Sequence, residues 1–577
     1  MAFIRRKPVV KSAKSNDPDQ PNNIATASAD NNVPRANDMN TRKRVAIIGS
    51  GVSGLTCAHY LAKLHEVTIF EANDYIGGHV NTIDVTLQQG KKSKRPFAKG
   101  NSIEKSAIDT GFIVFNERTY PNFFRLLHEL QVPFQATDMS FSVKNTMRNF
   151  EYNGHTINTL LSQRKNVLNP KFWRFLKDIL QFNKHIQRLR KDYELARTAG
   201  QDVSQYTEQT LGGYLAGKRY GKLFTDNYLL PMVSAIWSTS LEEVQDFPLV
   251  FFAQFFDNHG LLDVVNRPQW FTIKGGSKQY VNKLIPRFIK AGGTVRISTP
   301  VQSVSRQNDN VIVTISTDSE AQQLEFDEVI FACHADTALR LLKDANSTES
   351  EVLGHFRFTP NTAVLHTDTS VLPKKSLAWA SWNYLIDEPA EQKPAQATKP
   401  VLTYHMNILQ RLTKQHNYLV TLNSDIDEAQ VIKRIDYSHP VFDKPMIAAQ
   451  KQWSQISGSG LHTHFCGAYW FNGFHEDGVR SGLRVCQALG SIVTIEDEVD
   501  VSHLPDADNA HTPFRYRDLP VKADKSNRKL NKRQVITAST NQELNDYVAT
   551  LQPTAKKYIK QKRLGLLSRL TSKKTAK

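Results

Sequence analysis

Three glycines and one carboxylate have the types and spacing for chemistry. Gly49, Gly51 and Gly54 form a G-x-G-x-x-G pattern directly after the apolar run Val45–Ile48, and Glu71 follows Gly49 by 22 positions. In such a pattern the first glycine permits a tight turn, the second lets backbone approach a pyrophosphate, and the third lets a helix pack close to a sheet. The backbone from Gly49 through Val52 and Ser53 to Gly54 would then present free N–H groups at a helix N-terminus, where the dipole also favours phosphate. Glu71 would accept from ribose hydroxyls at the end of a second strand. A glycine-rich loop alone would be weak, but here strand, helix and acid all fall at the expected distances.

Other reactive residue types carry less. His462 and His464 alternate as if on one face of a strand, with His475 nearby in sequence. A metal site would want a third ligand with its own hydrogen-bonded support, so structural histidines and no metal are expected. Cys57, Cys333, Cys466 and Cys486 show no C-x-x-C spacing, which points to reduced thiols and a cytoplasmic protein. There is no G-x-S-x-G and no H-E-x-x-H. Lys274, before a second double glycine, could face a cofactor or solvent.

The elements that must position these residues follow from periodicity. Arg44–His79 reads as one βαβ unit. Ile108–Val114 returns to a strand through the turn Asp109-Thr110-Gly111. Tyr120–Leu130 and Asn169–Tyr193 read as helices, the second burying the stripe Phe172, Phe175, Leu176, Ile179 and Phe182. Tyr228–Trp237 and Phe247–Phe256 are apolar enough to be core or to line a greasy tunnel. Gly275 and Gly276 precede another helix, and strands follow at Thr294–Ile297, Val301–Val304, Val311–Ser316 and Phe326–Cys333. Asn361 to about Asn423 reads as an antiparallel sheet. Gly90–Ser102 reads as an exposed insertion, and residues 461–489 as a strand, a glycine turn and a helix.

Together these motifs resemble the flavin-containing amine oxidase superfamily, which also holds phytoene desaturases and protoporphyrinogen oxidases. The resemblance covers about residues 44–490 and rests first on Gly77-Gly78, six positions past Glu71. It implies an α/β fold. A discontinuous Rossmann-like FAD-binding domain (44–115, 272–345 and 455–500) would join a mixed α+β substrate domain (116–271 and 346–454). The flanks would be a disordered arm (1–43) and a basic tail (501–577). It further implies FAD contacts from Asp109, Thr110, Gly111, Gly275, Gly276, Val301, Gly467, Glu476, Asp477 and Gly478. His79 stands where many members have Arg, exchanging a permanent cation for a titratable one. Ala468 stands where many have a polar residue. No Cys lies between Cys333 and Cys466, so FAD is expected to be non-covalent.

The implied reaction is hydride transfer from substrate to flavin, with dioxygen or another acceptor taking the electrons. Phe474 falls at an aromatic-cage position where amine oxidases often carry Tyr. IDTGFIVFNERTYPNF and AYWFNGFHEDG look most like bacterial predicted NAD/FAD-binding proteins, a domain of which is joined to plant cyclopropane-fatty-acid synthase. That resemblance favours a fatty-acyl or other lipid substrate, in a desaturase- or saturase-like reaction. The alternatives are an amine or amino-acid oxidase producing peroxide and, in another class, a non-catalytic lipid chaperone of the GDP-dissociation-inhibitor type. Lys274, Phe474 and His475 are the candidate catalytic residues.

Charge removes one competing class. The 577 residues carry a formal net charge of +17, but residues 1–44 hold 9 Lys and Arg against 4 acids and residues 521–577 hold 15 against 3. Residues 45–520 are thereby neutral, which argues against a body built for specific nucleic-acid binding. From Pro553, Ile559, Leu566, Leu567 and Leu570 share a face among Lys and Arg, so the tail can lie on an anionic membrane surface. No apolar run is long enough to span a bilayer.

Overall fold

The computed structural model describes residues 42–88, 103–237, 239–263, 267–307, 309–316, 321–387, 401–413, 416–497 and 535–551. The expected insertion Gly90–Ser102, the arm 1–41 and the amphipathic segment after Pro553 lie outside them.

The strand β1 (Arg44–Ile48) is the centre of the nucleotide-type sheet. Its Val45, Ala46 and Ile47 are fully buried because both faces are covered, which is what a near-continuous apolar run encodes in a parallel sheet. Helix α1 (Val52–Leu61) leads to β2 (Glu66–Phe70), and β1 pairs in parallel with β2 on one side and Glu328–Phe331 on the other. Thr294–Arg296 and Thr463–Phe465 complete five parallel strands, in the order Thr294–Arg296, β2, β1, Glu328–Phe331, Thr463–Phe465. Three distant stretches of sequence therefore build one sheet.

A hairpin of β3 (Thr82–Gln88) and β4 (Ile103–Asp109) carries the Asp109 turn back to this domain. One expectation is corrected here. Residues 535–551 fall within the expected basic tail, yet Val535–Thr540 pairs antiparallel with β3 and Gln542–Thr550 is a helix with Leu544 and Val548 buried. The β-branched run VIT offered a strand that the unpaired edge of β3 could take up.

A second sheet has seven strands, in the order Val431–Pro440, Phe358–His366, Leu419–Leu422, Val401–His405, Trp382–Ile386, Phe141–Asn145, Phe150–Asn153. It is antiparallel except where Trp382–Ile386 runs parallel to Phe141–Asn145. The two strands within 141–153 escaped the sequence reading because they are short and polar. Their buried polar groups are satisfied across the sheet, Ser142 Oγ donating to Asn383 Oδ1 at 2.8 Å and Asn153 Nδ2 to the Trp379 carbonyl at 2.8 Å.

Helices cover this sheet. Between α2 (Pro121–Glu129) and the long helix lies a short one, α3 (Ile157–Leu160). Helix α4 (Pro170–Thr198) has Asn169 as its N-cap and turns Phe172, Phe175, Phe182 and Ile186 inward, as the stripe predicts. The apolar stretches become the helices Leu230–Trp237 and Leu249–Asn258, both largely buried.

Candidate active site

The glycine turn has the predicted shape. Gly49 adopts φ +107°, and a Cβ there would lie 2.8 Å from the Ala332 carbonyl oxygen, so both conformation and space require glycine. The Gly49 N–H is satisfied by Phe70 O at 2.8 Å, whereas no side chain caps the N-terminus of α1. A Cβ on Gly51 would meet nothing within 4 Å. Uncapped N–H groups beside open space are what a diphosphate needs. The Gly77-Gly78 pair folds over this turn, the Gly77 N–H donating to Ser50 Oγ at 3.1 Å and Gly78 packing on Gly51.

Glu71 sits at the end of β2 beside the turn, as expected. One oxygen accepts from Ser50 N–H at 3.0 Å and Ser50 Oγ at 2.6 Å, the other from Asn73 N–H at 2.9 Å and Asn73 Nδ2 at 3.0 Å. A carboxylate has about four acceptor positions, so a ribose would have to displace the Ser50 hydroxyl or the Asn73 amide. The Thr299 N–H donates to the Glu71 carbonyl at 2.9 Å, which brings the Val301 strand alongside.

A second wall comes from the Asp109 loop. Asp109 accepts from Thr82 Oγ1 at 2.6 Å, Ser277 N–H at 2.9 Å, Ser277 Oγ at 2.8 Å and Gln410 Nε2 at 3.0 Å. Burial pushes its carboxyl up to about 6 against these donors. Asp109 therefore ties β4 to the Gly275-Gly276 turn, and its side chain is spent on protein partners. Thr110 Oγ1 meets Tyr437 OH at 2.9 Å, and Gly111 lies so close to the His79 carbonyl that a Cβ would come within 2.3 Å.

His79 stacks on Tyr437, with centroids 4.7 Å apart, and lies 5.5 Å from the His439 ring. Burial and the neighbouring His439 and His334 lower its imidazole to about 3, and burial lowers His439 to about 4. Both are neutral. His79 Nε2 and His439 Nδ1 are buried without a protein hydrogen-bond partner. The titratable replacement for Arg is thus an uncharged ring. Tyr437 and His439 were missed in sequence, although their i, i+2 spacing on a strand places them on one face.

At the C-terminal motif, the helix His475–Ala488 crosses α1. A Cβ on Gly478 would fall 2.5 Å from Val52 Cγ1, and one on Gly482 would fall 2.8 Å from the Ser53 carbonyl. The acids of this motif act on protein, not outward. Glu476 accepts from Asn122 N–H at 3.1 Å, Asn122 Nδ2 at 2.6 Å and Phe123 N–H at 2.9 Å at the start of α2, and burial raises it to about 8. Asp477 accepts the Phe474 N–H at 2.9 Å, and burial raises it to about 7. Gly467 is pinned by Ser481 Oγ, which accepts its N–H at 3.1 Å.

The three catalytic candidates fare differently. Lys274 is exposed on the turn after Trp270–Ile273, its backbone N–H donating to Pro133 O at 3.1 Å. The His475 ring stacks on Phe112 at 3.7 Å, and its Nε2 meets Tyr280 OH at 3.0 Å. Phe474 is half-buried and stacks on Phe255 at 4.8 Å, with the His259 ring 5.4 Å away. Burial lowers His259 to about 4, so this wall carries no charge at neutral pH.

The two alternating histidines, His462 and His464, both have protein partners. His464 Nε2 lies 3.2 Å from Glu328, and His462, in a left-handed conformation just before the strand rather than on it, meets the Asp327 carbonyl at 3.0 Å. Burial alone would raise Glu328, but hydrogen bonds from His464 and Lys43 hold it below the ordinary carboxylate range. No group of three or more metal-ligating side chains suited to an ion occurs among the described residues.

A parallel sheet, an uncapped glycine turn with open space, and buried unpaired ring nitrogens opposite it define a dinucleotide-dependent oxidoreductase fold that these residues fit. Residues 52–402 match the flavin containing amine oxidoreductase family. The chain belongs to that family and is an FAD-dependent oxidoreductase.

Curated relatives match only locally. A putative flavin-containing monooxygenase 2 of Arabidopsis thaliana is 58% identical over 41 residues, 7% of this chain and 9% of that protein. An L-amino acid oxidase of Cerastes cerastes is 54% identical over 41 residues, 7% of this chain and 8% of that protein. The matched stretches thus span less than a tenth of either relative.

Among solved structures, cyclohexylamine oxidase from Brevibacterium oxydans IH-35A superposes with a TM-score of 0.52 at 14% identity, over 78% of this chain and 99% of that one. A fatty acid isomerase from P. acnes gives 0.50 at 13%, over 77% and 98%. These likenesses show the fold.

Proposed function

We propose that this flavoenzyme oxidises a neutral, apolar substrate, a fatty-acyl or other lipid chain, by hydride transfer. The observation that carries the reading is the wall Phe474–Phe255–Trp237 with a neutral His259. Such a surface orients an alkyl or alkenyl chain by shape and dispersion and excludes water. FAD, when bound, supplies the two-electron acceptor. Gly49–Gly54 and Gly77-Gly78 would hold its diphosphate, Glu71 its ribose, and the His79–Tyr437–His439 face would border the reacting region. The unpaired His79 and His439 ring nitrogens would be free to hydrogen-bond a polar group of cofactor or substrate there.

Support also comes from a fatty acid isomerase having the same fold, although a cyclohexylamine oxidase shares it too. The amine reading is favoured by one observation, the π face of Phe474, which can hold an ammonium group. The membership in an oxidoreductase family speaks against a lipid chaperone.

The test is anaerobic reduction of the holoenzyme by candidate substrates. Bleaching by unsaturated acyl lipids, with none by cyclohexylamine or putrescine, is the expected result. Bleaching by amines alone would overturn the proposal.

A further inference from the structure

Away from the cofactor, the outer side of α4 presents a second surface. Trp173, Lys177, Leu180, Lys184, Lys191 and Leu195 recur at spacings of three, four and seven, so they share one side, opposite Phe172, Phe175 and Phe182. All six are exposed. At the N-terminal end the stripe continues into a corner formed by α3 and the turn Arg164–Leu168. Arg164 Nη2 donates to Asn158 Oδ1 at 2.6 Å, and Trp173 Nε1 donates to the Val167 carbonyl at 2.8 Å, which fixes the corner to the helix. Here Leu168 is 89% exposed, Ile157 78% and Trp173 52%.

The charge of this region is one-sided. Residues 155–191 contain nine Lys and Arg and a single acid, Asp178, within residues 45–520, which are neutral as a whole. Asp178 is buried, accepts the Gly221 N–H at 2.9 Å and lies 3.9 Å from Arg174, which leaves Arg164, Lys165, Lys171 and Lys177 near the corner. Farther along, Arg188 meets Asp192 at 3.7 Å and Arg197 meets Glu194 at 2.8 Å, so the uncompensated charge concentrates toward the corner. A merely solvated helix face would not gather Leu168, Ile157 and an interfacial Trp among those cations.

We propose that this face, from the Ile157–Leu168 corner along the outer stripe of α4, rests on an anionic lipid bilayer surface. The apolar side chains enter the boundary between headgroups and acyl chains, and the lysine and arginine stems reach past them to lipid phosphates. An RNA backbone would match the charge but would leave Leu168 and Ile157 in water. A second copy of the same face would set cation against cation. The helix spans about 44 Å at 1.5 Å per residue, long enough to lie flat along a surface.

The inference stands independently of the substrate reading, yet it fits it. Phe182, on the inner side of α4, packs against Phe252 at 6.0 Å, on the same helix as Phe255 of the candidate substrate wall. Lipid face and substrate wall are therefore separated by one helix pair.

The experiment is co-sedimentation of the full-length holoprotein with phosphatidylcholine vesicles, with and without phosphatidylglycerol, at physiological salt. Two double variants, Leu168→Ser with Trp173→Ser and Lys165→Glu with Lys171→Glu, change exposed positions only, and FAD content and thermal midpoint report that they fold. The wild type should partition onto phosphatidylglycerol vesicles, and each double variant should lose about tenfold or more in partitioning. Quenching by brominated lipid should include a component that Trp173→Phe removes. A chain ending at residue 551 should still bind. Binding that survives both double variants, binding abolished by the truncation, or no binding by the wild type would each overturn the proposal. So would loss on charge reversal alone, with single-stranded RNA binding lost in parallel, because that pattern marks a polyanion site.

Discussion

At Glu71 the sequence reading and the structure agree on place and differ on detail. The spacing from Gly49 located the carboxylate beside the turn, but spacing could not show that Ser50 and Asn73 already occupy its lone pairs. Glu71→Gln keeps the shape and removes the charge, so charge-assisted bonds worth about 1.5–3 kcal/mol each are weakened and FAD affinity should fall about tenfold or more. Titration of the apoprotein with FAD measures this, and unchanged affinity would mean that the ribose lies elsewhere.

The acids of the C-terminal motif were legible as residues but not as roles. The partners of Glu476, Asn122 and Phe123, lie about 350 positions away in sequence, where no local pattern reveals them, whereas Asp477 accepts the N–H of Phe474 at the start of its own helix. Their titration makes a prediction with a definite sign. Glu476 and Asp477 have folded values raised to about 8 and 7 by burial, above their unfolded values, so the folded chain holds extra protons and loses stability as pH rises toward those values. The neutral His79, His259 and His439 act oppositely, but only below their unfolded value of 6.5. From about pH 6.5 to 8.5 the thermal midpoint should therefore decline, and Glu476→Gln should flatten the decline. An identical slope in the variant would show that Glu476 is ionised throughout.

Among elements, the crossing of α1 by His475–Ala488 matters most, because it joins the first and last nucleotide motifs. Gly478 and Gly482 set its closeness. Gly482→Ala would drive a methyl into the Ser53 carbonyl and Thr56, costing about 1–3 kcal/mol in chemical denaturation. An unchanged midpoint would mean that the helices part without penalty. The core stripe of α4 was readable from its period, since Phe172, Phe175 and Phe182 do face inward. The strands at 141–153 were not, because their stability comes from partners on other strands rather than from their own alternation. The strand 535–540 escaped for a similar reason: a lysine-rich context hid a segment whose pairing partner is the edge of β3.

For the whole molecule, the parallel sheet is legible in three separated stretches of sequence because each carries a glycine turn close to a strand. The substrate remained open, since aromatic residues look alike in sequence whether they fill a core or border a cavity. The resemblance to a domain joined to cyclopropane-fatty-acid synthase stands as a proposal on the same footing as the acyl substrate. No helix among the described residues is long and apolar enough to cross a membrane, and the lipid-facing surface we assign is the corner and outer stripe of α4.

The most direct measurement is the visible spectrum of the purified full-length protein through denaturation and anaerobic titration. Oxidised flavin absorbance, released intact into the supernatant when the protein is precipitated and bleached by unsaturated acyl lipids but not by amines, is the predicted result. A colourless protein that FAD cannot reconstitute, or colour bleached by amines alone, would contradict the account.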